Sequence, residues 1–498
     1  MTFPNIDIEA LNKDRRAQAM IISGTVSALV LTWIIAIIYW LSTIPSFDIL
    51  AEVPGFDGLP PNAAALAAKV ELNGTFEQFD GVPSDLPGAW PKFRGPEMSS
   101  IAVDQTELAD SWANGPNVVW QIKVGDGYAA PAVMNGRVYL MDYDTEKRAD
   151  ALRCLSLEDG SEIWRRSYNI NIKRNHGMSR TIPAVTDKYV VTMGPKCHVV
   201  CLDAGRGDFR WGIDLQKDYG TSEPLWYAGQ CPIIVDDYAI IAPGGSEVMM
   251  MAVSCETGDV AWTTPNPKLW NMSHASIIPM KLAGHNMYVY SAVGGIIGVS
   301  AEPDRIGELL FEVPRVGNVV APSAIQVSDT DIFATAGYSM GSILLRVSES
   351  GGEFTAEKVY DRPPGEILAC EQQTPIFHDG LIYAVMPKDA GELKNQFVCY
   401  KPDGTMVWSS GRDNRFGLGP FLLADDKFYI LDDDATLTMI DATKSKYAQL
   451  GQGETISHLD EDGEKVLGHD AWGPLALAGS RLLLRDMNYM ACIELAAK

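Results

Sequence analysis

Apolar and polar stretches alternate along most of this chain in one recurring order. Each unit begins with a proline and continues with a short apolar run, a turn rich in Asp or Gly, and a second apolar run, as in APAVMNGRVYLMDYD. Two short apolar runs joined by a tight turn predict a pair of antiparallel β-strands. Eight prolines open these units: Pro131, Pro183, Pro232, Pro279, Pro322, Pro375, Pro420 and Pro474.

Successive prolines of this series are 43 to 54 residues apart. A repeat of about 40–50 residues with several short strands is typical of the blades of a β-propeller. The pattern therefore predicts an all-β, eight-bladed β-propeller. The last unit ends before its fourth strand, and the run VVWQIKV around Trp120 has the shape of such a strand. We expect the strand around Trp120 to complete the last blade, because a closed ring has no free edge.

A long apolar stretch near the N-terminus lacks this alternation. The run from Met20 to Leu41 contains no charged residue and is long enough, at about 1.5 Å per residue, to cross a hydrocarbon layer of roughly 30 Å. It predicts a transmembrane helix over residues 18–42. A cleaved signal peptide is the alternative, but the run exceeds the roughly 7–15-residue apolar core of such peptides and STIPSF offers no small-x-small cleavage site.

The charges that flank this stretch predict its orientation. Lys13, Arg15 and Arg16 precede the stretch, whereas the acidic residues from Asp48 onward follow it. The positive-inside rule therefore places residues 1–17 in the cytoplasm and the rest of the chain outside, with aromatic residues such as Tyr39 at the outer interface. Residues 43–88 are rich in Pro, Gly and Asp without sustained periodicity, which predicts a tether. Residues 89–498 form the predicted propeller.

The composition excludes one class of function. The formal net charge is -24, and binding to phosphate backbones needs a concentrated cationic face. A nucleic-acid partner is therefore not expected. The eight cysteines belong to a chain too long to depend on disulfides for its core, so they do not indicate a disulfide framework.

The stretch CLDAGRGDFRW shows how each unit ends. Cys201 is followed by Asp203, Gly207 and Trp211, two, six and ten positions further on, and AVSCETGDVAW keeps the same spacing. The small residue at the first position fits a closely packed strand, and the acidic side chain accepts hydrogen bonds from the backbone amides of the turn. The glycine adopts the positive φ that the turn requires, and the tryptophan docks between neighbouring blades. Cysteine in the small position is interpreted as a core residue that replaces alanine. The residues assigned to this structural motif are Trp120, Trp164, Asp203, Gly207, Trp211, Gly258, Trp262 and Trp408.

This spacing resembles the tryptophan-docking motif A-x-D-x-x-T-G-x-x-x-W of the pyrroloquinoline-quinone-type (PQQ-like) β-propeller repeat. The sequence AWPKFRGP also resembles a W-P-x-F-R-G-P lead-in found in many bacterial exported members, so the resemblance covers residues 89–498. The fourth unit offers Phe311 near the tryptophan position, and the fifth and seventh lack the tryptophan. We expect these blades to be irregular or to carry compensating packing.

The resemblance implies two classes of function. The superfamily includes quinone-dependent dehydrogenases and non-catalytic scaffolds such as the propeller lipoprotein of the outer-membrane β-barrel assembly machinery. The dehydrogenases have an adjacent cysteine pair above the cofactor, a tryptophan beneath it, and calcium ligands beside a catalytic aspartate. No two cysteines are adjacent in this chain, although Trp226, Trp270 or Trp472 could supply the stacking floor. No catalytic residue or cofactor, including PQQ and calcium, is therefore predicted.

Other residues that resemble metal ligands have structural interpretations. In KCHVVC, Cys197 and Cys201 are separated by about 13 Å in an extended strand, too far to share one ion. The acidic runs LDEDGE and LDDDAT do not have the spacing of an EF-hand loop and are interpreted as turns. No metal site is predicted.

Propeller geometry favours a ligand site where the loops leading into the innermost strands converge. These loops combine polar and aromatic residues, with arginine suited to anions and aromatic rings to stacking. The alternative is that each of these residues has only a structural role, in which it forms hydrogen bonds with the backbone of its loop or helps to close the propeller ring. The candidates for a binding site at the channel mouth are His176, Arg180, Trp226, Tyr227, His274, Glu371, Gln372, Arg415, His469 and Trp472.

Together these features predict a membrane-anchored β-propeller in the periplasm of a bacterium, held in the inner membrane by one helix. Because no catalytic set is recognisable, the predicted function is a protein-binding or scaffolding subunit of an envelope complex. The alternative function is a divergent PQQ-dependent dehydrogenase or another enzyme that uses the channel mouth.

Overall fold

The computed structural model describes residues 8–43 and 70–497, apart from 105, 113–114, 316, 444 and 458–469. The chain divides into two compact units, Met1–Ala67 and Ala68–Lys498. The first contains the long helix, and the second contains the sheets.

The first unit is built on helix α1 (Ile8–Thr43). Its segment Ile22–Tyr39 has a mean hydropathy of 2.0, and none of it is buried within the protein. By length and composition α1 is compatible with one membrane crossing, and a signal sequence fits the same criteria. The side chains of the flanking residues Lys13 and Trp40, and residues 44–69, lie outside the described part of the chain.

The second unit consists of antiparallel strands and two short helical segments, α2 (Leu215–Tyr219) and a 3-10 turn (Gly391–Leu393). The strands are β1 (Thr75–Gln78), β2 (Asn117–Lys123), β3 (Ala132–Met134), β4 (Arg137–Asp144), β5 (Ala149–Ser156), β6 (Glu162–Asn169), β7 (Ala184–Val185), β8 (Tyr189–Met193), β9 (His198–Asp203), β10 (Phe209–Asp214), β11 (Ile233–Val235), β12 (Tyr238–Ile241), β13 (Val248–Ser254), β14 (Val260–Pro265), β15 (Ile278–Leu282), β16 (His285–Ala292), β17 (Gly294–Ser300), β18 (Leu309–Arg315), β19 (Ile325–Gln326), β20 (Asp331–Ala336), β21 (Gly341–Ser350), β22 (Glu353–Arg362), β23 (Ile376–His378), β24 (Leu381–Val385), β25 (Phe397–Tyr400), β26 (Met406–Ser409), β27 (Phe421–Ala424), β28 (Lys427–Leu431), β29 (Thr436–Asp441), β30 (Gln449–Glu454), β31 (Ala476–Ala478), β32 (Arg481–Arg485) and β33 (Tyr489–Glu494).

Within the described residues these strands form eight sheets, which are the blades of a propeller. Blades 1 to 7 begin with β3, β7, β11, β15, β19, β23 and β27 in turn, and each uses four strands that follow one another in the chain. Blade 8 combines β31, β32 and β33 with β2. The predicted all-β, eight-bladed propeller is confirmed.

Blade 8 contains strands from both ends of the propeller sequence. β2 pairs antiparallel with β33, and Trp120 lies opposite Cys492 in this pairing. The strand around Trp120 therefore occupies the outer position of the last blade, where the sequence analysis placed it. This pairing supplies the hydrogen-bond partners that the edge of β33 would otherwise lack.

Blade 1 has an additional outer strand that the sequence analysis assigned to the tether. β1 pairs antiparallel with β6, with Thr75 opposite Ser167 and Gln78 opposite Trp164. The aromatic ring of Phe76 lies 6.5 Å from that of Trp164, so β1 gains apolar packing as well as backbone bonds. Residues Thr75–Gln78, within the predicted tether, therefore form the outermost strand of blade 1.

Three tryptophans of the repeated motif each dock their own blade onto the next one. The indole Nε1 of Trp164 donates a hydrogen bond of 3.2 Å to the carbonyl of Gly205 in blade 2. Trp120 of blade 8 bonds Leu157 of blade 1 in the same way. Trp211 makes the corresponding bond to the carbonyl of Cys255 in blade 3. The aromatic residue therefore links neighbouring sheets through a backbone bond and through its buried ring.

Two blades without the tryptophan carry substitute packing. In blade 5, the hydroxyl of Tyr360 on β22 donates a 2.7 Å hydrogen bond to the carbonyl of Pro402 in blade 6. In blade 7, Trp112 from the segment before β2 packs 6.2 Å from the ring of Tyr429 and faces Gly451 on β30. Compensating packing, one of the two expected outcomes, is what the structure shows in these blades.

The lead-in AWPKFRGP runs across the inner ends of the blades. Trp90 and Arg94 are buried, with 1% and 4% of their surfaces exposed. Hydrogen bonds join this segment to innermost strands or to residues that lead into them: Trp90 to Val133 in blade 1, Pro91 to Val185 in blade 2 and Arg94 to Pro375 in blade 6. Ala102, which lies beyond the lead-in, bonds Leu423 in blade 7. The segment therefore fills space at the axis of the ring.

Side chains beside the axis also connect consecutive blades. The backbone N–H of Ile182 donates to Sγ of Cys231, and the N–H of Cys231 donates to Oγ of Ser276. The N–H of Ser276 donates to Oγ of Ser323, whose own N–H donates to Oγ1 of Thr374. These bonds, 2.9 to 3.2 Å long, satisfy buried amides and fix the innermost strands of blades 2 to 6 in one register.

Candidate ligand-binding site

A cavity of about 220 Å³ opens where the loops leading into the innermost strands converge. Among the described residues it is lined from blades 1 to 6 and blade 8, and Phe93 of the lead-in is also part of its wall. The sequence candidates that line it are His176, Arg180, Trp226, His274, Glu371, Gln372 and Trp472.

Three sequence candidates do not contribute described atoms to this cavity. Tyr227 is buried in an apolar cluster with Ile172 and Met178, and its hydroxyl donates to the carbonyl of Lys173. Arg415 bonds the carbonyl of Arg412 in its own exposed turn. These two side chains satisfy loop backbone, which is the alternative that the sequence analysis left open. His469 lies outside the described residues.

Aromatic rings form one wall of the cavity. The indole of Trp226 stacks on the imidazole of His274 with centroids 6.2 Å apart and an interplanar angle of 23°. The ring of His176 meets Trp226 edge-on at 5.9 Å, and that of Tyr338 lies 6.0 Å away. This wall offers a flat surface on which a planar or apolar group can stack.

The backbone at this wall is unusual. His176, Trp226 and Tyr338 have positive φ angles of 51°, 63° and 56°, a region that side chains with a Cβ atom seldom adopt. Each such residue costs roughly 1–3 kcal/mol, so neighbouring contacts must hold it in place. Such strain is concentrated at binding sites in many proteins.

Arg180 supplies some of these contacts. Its Nε donates a 2.5 Å hydrogen bond to the carbonyl of Trp226. Its Nη2 donates to the carbonyls of Asn175, at 3.2 Å, and His176. The guanidinium thereby joins the loop into blade 2 to the loop into blade 3, and it lies 5.2 Å from the centre of the Tyr128 ring.

The charge of Arg180 lacks an acidic partner among the described residues. Burial lowers the pKa of its guanidinium to about 10, and the titratable groups that raise it are Tyr128, Tyr338 and Tyr227. The group remains protonated at neutral pH, because its pKa stays well above 7. An enclosed cation that faces tyrosines and neutral carbonyls is favourable for an incoming anion.

His274 is neutral at physiological pH. Burial, with a further contribution from the charge of Arg180, lowers the pKa of its imidazole to about 4. Gly229 faces this ring so closely that a Cβ atom there would lie 2.7 Å from Nδ1. The imidazole is therefore a polar, uncharged part of the wall that can donate one hydrogen bond and accept another.

Another part of the cavity lining contains a second indole and an ion pair. Trp472 donates from Nε1 to Oδ1 of Asp433 at 2.7 Å and stacks on Tyr128 with centroids 5.2 Å apart. Nζ of Lys388 lies 5.4 Å from the centre of the Trp472 ring and 3.9 Å from Oε1 of Glu371. The two cations of the cavity therefore differ, because Lys388 has a carboxylate neighbour and Arg180 has none among the described residues.

The sequence of this chain matches the model of a known protein family. A family model described as outer membrane protein assembly factor BamB matches residues 101–302 and 147–392. These overlapping matches together span more than half of the chain. The chain belongs to this BamB family of PQQ-like propellers. No curated protein is similar enough in sequence to be matched.

Solved structures share the architecture of this BamB-family propeller at low identity. A quinohemoprotein alcohol dehydrogenase from Pseudomonas putida matches with a TM-score of 0.55 and 12% identity, over 84% of this chain and 83% of that one. The enzyme from Comamonas testosteroni gives 0.55 and 12%, over 82% and 81%. BamB from Moraxella catarrhalis gives 0.49 and 12%, over 76% and 99%. At this identity the first two establish the fold and no activity.

Sequence reasoning missed several residues of the cavity in this BamB-family propeller. Tyr338 follows β20 and Lys388 follows β24, so both lie on loops between the second and third strands of a blade. Tyr128 lies between β2 and β3, and Phe93 belongs to the lead-in. Tyr338 and Lys388 were not predicted because only loops into innermost strands were expected to converge, although loops after the second strand reach the same face of a propeller. Tyr128 precedes the innermost strand of blade 1 and was missed within the expected class of loop. The available signal was an aromatic or basic residue directly after a repeat's second apolar run.

The cysteines of this BamB-family propeller are structural. All eight are unpaired and buried, and burial raises the pKa of the cavity-lining Cys231 thiol to about 11. A thiol with this pKa is a poor nucleophile at neutral pH. No group of three or more potential metal ligands occurs among the described residues. The cavity walls can thus stack a ring, bind an anion and form hydrogen bonds.

Proposed function

We propose that this BamB-family chain is a membrane-anchored, extracytoplasmic propeller that binds protein partners as a subunit of an envelope complex. The observation that carries the proposal is the chemistry of the cavity. Its walls consist of stacked rings and an arginine without an acidic partner among the described residues. Cys231 carries a thiol of raised pKa, and Glu371 already has Lys388 beside it. These groups are suited to recognition rather than to nucleophilic catalysis.

The proposed location depends on α1 as a membrane anchor that is not cleaved. Its apolar segment Ile22–Tyr39 is long enough to cross a bilayer. Basic residues precede it and acidic residues follow it, which favours a cytoplasmic N-terminus. In a bacterium with two membranes, this arrangement puts residues 1–17 in the cytoplasm and the propeller in the periplasm, anchored to the inner membrane.

A second candidate function is quinone-dependent alcohol oxidation. The observation that favours it is the pair of indoles, Trp226 and Trp472, in a cavity that also contains Arg180, because such walls suit a planar anion. The other residues do not fit the expected group. Cys231 is the cavity's only described cysteine and Glu371 its only described carboxylate, whereas the dehydrogenases use an adjacent cysteine pair and several calcium ligands.

The proposal is tested by purifying the full-length chain from native membranes through a C-terminal tag in mild detergent. Mass spectrometry of the eluate should identify a membrane or envelope protein in stoichiometric amount. The complex should re-form from the two purified proteins. An unrelated tagged single-span protein is the control for adventitious capture. Recovery of the chain alone from fresh membranes would overturn the proposal.

A separate assay distinguishes the enzymatic candidate. The purified protein is mixed with pyrroloquinoline quinone, calcium, an electron-accepting dye and a series of primary alcohols. We expect no dye reduction above the rate without protein. Saturable, alcohol-dependent reduction would favour the dehydrogenase and count against the scaffold.

A further inference from the structure

The enclosed guanidinium of Arg180 is the part of the cavity best suited to recognise one particular ligand group. Its Nε and Nη2 atoms are engaged by backbone carbonyls, whereas Nη1 has no hydrogen-bond partner among the described residues. The carbonyls hold the guanidinium in a fixed orientation without neutralising its charge. A fixed, unpaired guanidinium presents a preorganised site for a carboxylate.

Large apolar side chains are exposed on the loops that contribute residues to this cavity. Tyr338, part of the cavity wall, is 50% exposed, and Leu225, next to Trp226 in the chain, is 56% exposed. Leu269 is 65% exposed and lies on the loop that carries His274. Neighbouring exposed apolar residues around a polar centre are typical of protein-binding surfaces.

The overall charge of the chain restricts which anions can bind at Arg180 and the apolar side chains near it. With a formal net charge of -24, the protein repels free anions at long range. An anion that binds Arg180 must therefore gain additional energy from contacts at short range. The aromatic wall and the exposed leucines provide these contacts to an anion attached to an apolar group.

We propose that the mouth of this cavity binds a segment of a partner protein that places an Asp or Glu carboxylate against Arg180. An aromatic or large aliphatic residue of the same segment packs against Trp226 and Tyr338. The inference rests on the proposed protein-binding function and specifies the chemistry that the partner presents. A free aromatic acid has part of the same chemistry and is separated from the segment by the experiment.

The test uses the full-length protein in lipid nanodiscs. A phage-displayed random peptide library is panned against it, and an enriched peptide is synthesised together with its analogue in which Asn or Gln replaces the acidic residue. Affinities are measured by fluorescence anisotropy for the wild type, Arg180→Gln and Arg174→Gln. Arg174 is the matched control, because it is an arginine of the same loop whose exposed side chain pairs with Asp126.

We expect enriched peptides to contain Asp or Glu beside an aromatic or large aliphatic residue. Both Arg180→Gln and the amide analogue should weaken binding at least about tenfold, because each removes one partner of an enclosed charge pair. Arg174→Gln should leave the affinity unchanged within about twofold, since an exposed ion pair contributes little. If Arg180→Gln does not fold, as judged by circular dichroism, two other affinities test the proposal. These are the affinity of the amide analogue for the wild type and the affinity of the acidic peptide for Leu225→Ser, and both should be weaker than that of the acidic peptide for the wild type.

Two outcomes would overturn this inference. The first is enrichment of peptides without the acidic and apolar pair, or binding that is indifferent to both Arg180→Gln and the amide analogue. The second is saturable binding of 3-phenylpropionate in the absence of any peptide binding. The membrane purification tests the proposed function independently of this site. If a partner protein binds the wild type and Arg180→Gln equally well, the protein-binding function is supported, but the site at Arg180 is not part of it.

Discussion

A Cβ atom on Gly207 would lie 2.9 Å from the ring of Trp164, which belongs to the preceding blade. Gly207 also has a φ of +71°, so the turn needs glycine both for its conformation and for the space that the indole occupies. The docking of two sheets thus depends on the absence of a side chain.

We expect Gly207→Ala to destabilise the propeller by roughly 1–3 kcal/mol, because it adds strain at a positive φ and displaces the indole. The measurement is the free energy of unfolding in urea. Gly205→Ala is the matched control, since a Cβ there would lie at an ordinary 3.5 Å from Asp203 and the turn does not give Gly205 a positive φ. Equal stability of the two variants would contradict the docking role of Gly207.

The closure of blade 8 leads to a prediction about deletions. Removal of residues 117–124 or of residues 489–498 should abolish the cooperative thermal transition, because each deletion removes the pairing of β2 with β33 that completes blade 8. Deletion of Thr75–Gln78 is the control, because blade 1 keeps four strands without β1 and should still melt cooperatively. Circular dichroism during heating provides the measurement. An unshifted, cooperative melt of either closure deletion would show that blade 8 does not hold the ring together.

Tyr360 is expected to replace the missing tryptophan of blade 5. Tyr360→Phe removes the hydroxyl that bonds Pro402 and should cost about 1 kcal/mol of unfolding free energy, the usual contribution of one such bond. Tyr238→Phe is the control, because the Tyr238 side chain is 40% exposed and its loss of a hydroxyl should change the stability by less than about 0.5 kcal/mol. The idea fails if the two variants are equally stable.

Asp150 should make the stability of the propeller depend on pH. Burial raises the pKa of its carboxyl to about 8 from an ordinary 3.8, even though Tyr168 donates a hydrogen bond to it. Between these values the folded protein retains a proton that the unfolded chain has released, so stability falls as the pH rises through this range. Asp150→Asn keeps an oxygen that accepts from Tyr168 and lacks the titration.

We therefore expect Asp150→Asn to be more stable than the wild type at pH 7.5, with a difference that shrinks toward pH 4. Melting temperatures measured across this range provide the check. Asp329→Asn, a change at an exposed carboxylate, should follow the wild type at every pH. A constant difference between Asp150→Asn and the wild type would contradict the titration of Asp150.

The orientation of α1 can be tested with introduced cysteines, because all eight natural cysteines are buried. In right-side-out membrane vesicles, a membrane-impermeant maleimide should label Asp329→Cys directly. It should label Thr2→Cys only after the vesicles are lysed. The reverse pattern would overturn the proposed orientation. Loss of the first residues from the mature protein, seen by mass spectrometry, would instead identify a signal peptide.

The repeat pattern was sufficient to predict the fold, because each blade repeats the same local alternation of strands and turns. Pro131 and its counterparts mark the innermost strands, and Trp164 or Trp211 marks the outer ones, so period and order follow from local sequence. The strand β1 was not predicted, because its pairing with β6 is a long-range contact. The four-residue sequence TFEQ stands in a region whose Pro, Gly and Asp content is typical of a linker.

The candidate site was predicted in part for a geometric reason. Loops that enter innermost strands converge near the axis of any propeller, so His176, Trp226 and Trp472 reach one cavity although they are distant in sequence. Tyr227 follows Trp226 directly, and its side chain instead enters a separate apolar cluster. Sequence alone does not fix this choice, because both residues have positive φ and their side-chain directions depend on packing.

The pairing of β2 with β33 also affects how the protein is made. Ribosomes add about 5–20 residues per second, so β2 emerges tens of seconds before its partner exists. Throughout that time its backbone donors and acceptors remain open to other extended chains. The ring of this protein therefore cannot close while the chain is still being made, and β2 must stay unpaired until the strand that completes its blade is available.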